Sequence, residues 1–131
     1  MKNHGNYLLD TNIIINLFKN EKNIKKRLNN EEMFFVPSIV IGELFYGAYK
    51  SERTKENIEK INNFVIKCSI IDINIDTAKE YGNIKNKLLK KGCPIPENDI
   101  WIAAVSKQYN LILFTKDGHF KEVEDIKIEI L

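Results

Sequence analysis

Short apolar runs alternate with longer stretches of helical spacing along the chain, and this alternation constrains the fold more than any other feature. The runs are NYLL (6–9), MFFV (33–36), SIIDI (69–73), LILFT (111–115) and IKIEI (126–130). After the first run, Ile13, Ile14, Leu17, Phe18, Ile24 and Leu28 fall near helical spacing, with a break near Asn20. Pro37 ends the second run, and Ser38 is placed to N-cap a helix to about Lys50. Thr54 opens another helix, with Ile58, Ile61, Val65 and Ile66 on one side. Asp76 is placed to cap a helix to about Lys91, with Gly92 just past its end. The turn-rich GCPIPEN (92–98) then leads into an apolar helix from Asp99 to Tyr109. Short continuous strands separated by helices predict an α/β protein. Its mostly parallel five-stranded sheet would be covered on both faces, giving a three-layer α/β/α domain.

At 131 residues the chain matches one domain, 1–131, large enough to bury a core without cross-links. The formal net charge of +2 says little about partners. Only two of the 20 basic residues are Arg, Arg27 and Arg53. Lysine is a point charge without the arginine fork, so the composition fits loose attraction to phosphate better than base reading. Cys68 and Cys93 form no C-x-x-C pair and have no nearby His pair, which argues against a disulfide framework or a zinc site. No apolar run approaches the length needed to cross a bilayer, and MKNHGNY lacks the apolar core of a signal peptide. A cytoplasmic protein with no membrane contact is expected.

Four acids stand out. Asp10 directly follows the first strand, and Thr115 and Asp117 follow the fourth; in parallel sheets the working site lies at the carboxyl ends of the strands. Glu43 sits in SIVIGELFYGAY with no basic residue one turn away, in a helix apolar on nearly every side, so it is expected to be well buried. Asp99 opens the DIWIAAV helix, where a first-turn acid also favours the helix dipole, and Asn98 beside it could serve as the cap. Asn12 is as good a cap as Asp10 for the first helix, which leaves Asp10 free. Asp117 lies in KDG, a common turn sequence. A parallel sheet brings Asp10, Asp99 and Asp117 to one edge. Carboxylates so gathered raise one another's pKa unless a cation is shared, and oxygen-only ligands suit Mg2+ or Mn2+ over zinc.

The segments LLDTNIIIN, SIVIGEL, NDIWIAA and FTKDGHF, in this order and at compatible spacing, resemble the four signature segments of PIN-domain ribonucleases. The resemblance is to the VapC toxins of toxin–antitoxin pairs in particular, and it covers nearly the whole chain. It implies an endoribonuclease that needs Mg2+ or Mn2+ and hydrolyses single-stranded RNA, leaving a 3′-hydroxyl and a 5′-phosphate, with transfer RNA the substrate class to test first. Carried over by position, it makes Asp10, Glu43 and Asp99 the core metal ligands and Asp117 the fourth acid. Asn12, Thr115 and Ser38 become groups that orient the carboxylates. Gly118 and His119 stand where the family often carries further acid, and His119 could touch metal or substrate. The family also implies a homodimer silenced by a small VapB-like antitoxin whose tail enters the active-site groove. Phe18, Phe45, Tyr46 and Tyr49 would suit such a contact, or equally an internal core.

Three other functions compete with this one. A phosphatase with Asp10 as nucleophile would carry a second acid two positions on, where this chain has Asn12. A nucleotide-binding module lacks both G-x-G-x-x-G and G-x-x-x-x-G-K-[ST]. A PIN-like domain that binds RNA or a partner without cutting is the remaining alternative, and the retention of all four acids speaks for catalysis.

Overall fold

A computed structural model of the chain describes residues 6–20, 22–29 and 33–131. The N-terminal reading of residues 1–5 and the side chain of Leu28 lie outside the described residues. Five strands form one sheet: β1 (Asn6–Leu9), β2 (Met33–Pro37), β3 (Ser69–Ile71), β4 (Ile112–Thr115) and β5 (Lys127–Ile130). Their order is β3-β2-β1-β4-β5, and every neighbouring pair is parallel. The helices are α1 (Thr11–Phe18), α2 (Lys22–Asn29), α3 (Ser38–Tyr49), α4 (Thr54–Ile66), α5 (Ile75–Lys90) and α6 (Glu97–Gln108), with a 3-10 turn over Gly118–Glu122. The predicted α/β architecture is thus present, and its sheet is parallel throughout.

The chain winds from β1 out to β3, then returns across β1 to β4. Right-handed crossovers running in opposite directions place their helices on opposite faces of the sheet. The reversal puts the switch point between β1 and β4, where Leu8 lies beside Leu113 and Leu9 beside Phe114. Leu8, Leu9, Val36, Leu113 and Phe114 are buried along the central strands. Helix α6 adds Ile100, Ile102, Ala103, Ala104 and Val105, all buried, so it has no polar stripe to betray its period.

Several helix starts differ from the expected ones. Pro37, not Ser38, occupies the N-cap of α3. Asn74, not Asp76, caps α5, through a reciprocal box in which Asn74 Oδ1 accepts from the Thr77 backbone N–H and the Thr77 hydroxyl accepts from the Asn74 N–H. Helix α6 starts at Glu97, with Pro96 at its cap, so Asn98 is inside the first turn. Asn20, at φ 58°, makes the break between α1 and α2. Ile66 does not share the buried side of α4: it is 81% exposed, while Ile61 is buried. Phe18 and Phe45 pack against the core, whereas Tyr46 and Tyr49 are exposed. Both cysteines are free.

Candidate active site

Asp10 is the first residue after β1 and the N-cap of α1. Its backbone N–H extends the ladder to the Phe114 carbonyl at 3.0 Å, so the residue is locked at the switch point. The carboxylate is buried. Oδ1 accepts from the Thr11 backbone N–H at 2.8 Å, and Oδ2 accepts from the Thr115 hydroxyl at 2.7 Å. Asp10 therefore does cap the helix, and Asn12 does not compete: the Asn12 side chain accepts from the Lys116 backbone N–H at 3.2 Å and ties the loop after β4 to α1.

Thr115 is wholly buried and faces both ways. While its hydroxyl donates to Asp10, it accepts from the Asp117 backbone N–H at 2.9 Å. Asp117 Oδ1 in turn accepts from the His119 backbone N–H at 2.8 Å, which starts the 3-10 turn. The His119 ring closes the circuit: Nδ1 lies 3.0 Å from Asp117 Oδ1 and 3.5 Å from Asp99 Oδ2. Asp99 comes from the first turn of α6 and is only 14% exposed in its side chain. Ligand atoms of Asp99, Asp117 and His119 lie within 4.8 Å of one another.

Glu43 approaches from α3. Its Oε1 accepts from the Thr11 hydroxyl at 2.7 Å. It is half-buried, not deeply buried as its apolar helix suggested, because that face of α3 looks onto an open cleft. Thr11 escaped the sequence reading. A threonine after an aspartate looks like a spacer, and the one available hint was its position as the first helical residue. Ser38 is half-buried at the start of α3, and its hydroxyl makes no hydrogen bond among the described residues.

The four carboxylates form one electrostatic group. Burial raises the pKa of Asp10. The Thr115 and Thr11 hydrogen bonds pull it back, and the charges of Glu43 and Asp117 add to the rise. Asp99 is pushed up to about 6, first by burial, then by Asp10 and Asp117; contact with His119 opposes this, and Glu43 adds to it. Among the described residues no lysine or arginine pairs with any of the four, and His119 is the one basic side chain in contact. An acid group in which Asp10 is buried and the other three are half-buried, without such partners, fits a divalent cation, which would offset the mutual repulsion.

A parallel sheet with acids gathered at its switch point defines a nuclease-like α/β domain of the PIN type. The PIN domain family profile matches residues 7–126. Ribonuclease VapC2 of Haemophilus influenzae is 42% identical over 126 residues, covering 94% of this chain and 96% of the relative. The tRNA(fMet)-specific endonuclease VapC of Shigella flexneri is 31% identical over the same shares of the two chains. The crystal structure of VapBC2 from Rickettsia felis, bound to a DNA fragment from its promoter, superposes with a TM-score of 0.89. It is 30% identical and covers 96% of this chain and 98% of that one. The chain belongs to the PIN-domain family and, within it, to the VapC ribonucleases.

Proposed function

We propose that this chain is a divalent-metal-dependent endoribonuclease, the toxin of a two-protein toxin–antitoxin pair, with transfer RNA as its substrate class. The observation that carries this reading is the group of four carboxylates at the β1/β4 switch point, without a lysine partner among the described residues, in a chain of the VapC family.

Asp10, Glu43 and Asp99 would hold the ion and Asp117 would be the fourth acid, an oxygen-rich set suited to Mg2+ or Mn2+. When bound, such an ion supplies an activated water and neutralises charge on a phosphate oxygen. The protein's own part is to position. Thr115 and the Thr11 backbone N–H fix the two oxygens of Asp10, and the Thr11 hydroxyl aims Glu43. Hydrogen-bonded carboxylates keep their rotamers, so the site needs little rearrangement on loading. Exposed lysines near the cleft would attract the RNA backbone.

Transfer RNA is supported by the Shigella relative, which is named as specific for tRNA(fMet). An antitoxin partner is supported by the Rickettsia neighbour, a VapBC complex. No helix among the described residues is long and apolar enough to cross a membrane, which suits an enzyme that meets RNA in the cytoplasm. A homodimer completes the reading.

The test is incubation of purified protein with total transfer RNA and Mn2+. We expect discrete cleavage with 3′-hydroxyl ends, abolished by chelator and by Asp10→Asn. Expression should arrest growth, and Asp10→Asn should relieve the arrest. Intact RNA with the wild-type protein, together with growth arrest that survives Asp10→Asn, would leave the non-cutting RNA- or partner-binding alternative.

A further inference from the structure

Two cavities run along α3 and meet at Glu43. One, of about 710 Å3, opens between Thr11, Tyr46, Lys50 and Asn98. The other, of about 330 Å3, lies between α1 and α4 and has Phe18, Lys19, Lys60 and Ile61 in its walls. Ile15, Glu43 and Gly47 line both, so together they form one cleft that ends against the Thr11–Glu43 hydrogen bond.

Three features of this cleft ask for a ligand. Tyr46 is 66% exposed on the cleft, and Lys50 Nζ lies 4.9 Å from its ring centroid. Glu43, Tyr46, Gly47 and Lys50 follow one another at helical spacing, so the ring and the amine lead away from the acids along one face of α3. Next, Lys19, Lys50 and Lys60 have no acidic partner among the described residues, although Glu43 shares the cleft with them. Finally, Gly47 lies in the last turn of α3, where glycine costs up to about 1 kcal/mol relative to alanine. Nothing lies within 4 Å of a Cβ built there, so neither packing nor backbone geometry requires glycine. The missing side chain keeps the cleft deep.

We propose that this cleft seats a nucleotide of the RNA strand beside the cleaved bond, its base stacked on Tyr46, its phosphate met by Lys50, over a floor that Gly47 keeps open. The proposal rests on the ribonuclease reading and adds residues outside the acidic group. An exposed tyrosine suits any base, since every base offers a π-face. Lysines without an acidic partner among the described residues suit a polyanion better than an apolar helix of a partner protein. Continuity with Glu43 places the seat next to the bond that would be cut.

The test is binding of a short fluorescein-labelled single-stranded RNA by fluorescence anisotropy, with chelator present so that no strand is cut. Tyr46→Ala should weaken binding roughly ten- to hundredfold, and Tyr46→Phe should restore it. Lys50→Ala should make the log–log salt dependence shallower by about 0.7. Gly47→Leu should fill the cleft and weaken binding at least about tenfold while thermal stability holds. Gly82→Leu, in α5 and equally clear of neighbours, should leave RNA binding unchanged. If wild type binds and cuts RNA while Tyr46→Ala and Gly47→Leu bind it equally well, the seat is wrong and the ribonuclease reading stands. The same holds if those variants keep RNA but lose binding of a VapB-like antitoxin, because the cleft is then a protein seat. If wild type neither binds RNA nor cuts it with Mn2+, the ribonuclease reading fails and the seat fails with it.

Discussion

The Thr115 hydroxyl donates a 2.7 Å hydrogen bond to Asp10 Oδ2, joining residues 105 positions apart. The Thr115 hydroxyl oxygen also accepts from the Asp117 backbone N–H, so one buried hydroxyl sets both the acid after β1 and the turn after β4. The bond spans the switch point of the sheet, which is why two local motifs become one site.

Thr115→Val keeps the shape and removes that hydroxyl. It leaves the buried Asp10 oxygen and the Asp117 N–H without their partner, and should cost about 1–3 kcal/mol in urea unfolding. Mn2+ affinity should fall by about ten- to a hundredfold, and Thr115→Ser should restore both.

Thr11→Val separates positioning from folding. Its hydroxyl holds Glu43, which is half-buried and can turn to solvent when released. Stability should change by about 1 kcal/mol or less, while Mn2+ affinity measured by calorimetry drops about tenfold.

The raised Asp99 pKa makes the metal-free protein sensitive to pH. A carboxyl raised from 3.8 to about 6 favours folding while protonated. That contribution is fully present below pH 3.8 and lost as pH rises through about 6. Asp99→Asn should therefore be more stable than wild type above pH 6, by about 2–3 kcal/mol. The difference should shrink towards pH 4. Urea titrations of both proteins in chelator check this, and saturating Mn2+ should reverse the order by stabilising wild type alone.

Much of this arrangement could be read before folding. The five apolar runs are the five strands to within two residues, because buried parallel strands are written as continuous apolar segments. Asp10, Thr115 and Asp117 announced themselves by standing at strand ends. The helix caps were less legible. Ser38 and Asp76 are good cappers, yet Pro37 and Asn74 hold the positions: β2 runs through Pro37, which leaves Ser38 as the first helical residue with no side-chain cap before it, and Asn74 outcompetes Asp76 by pairing reciprocally with Thr77. Thr11 was missed because its value lies in Glu43, a residue 32 positions away. The burial of Glu43 was overstated because apolar residues lie all round α3, and no local pattern reveals that one side borders an open cleft.

If Asp10, Glu43, Asp99 and Asp117 share a divalent cation, titration of Mn2+ into metal-free protein by calorimetry should detect it. Wild type should bind saturably, more strongly at pH 7 than at pH 5, and Asp10→Asn should weaken binding at least about a hundredfold. No saturable heat at millimolar Mn2+, or equal binding by wild type and Asp10→Asn, would contradict it.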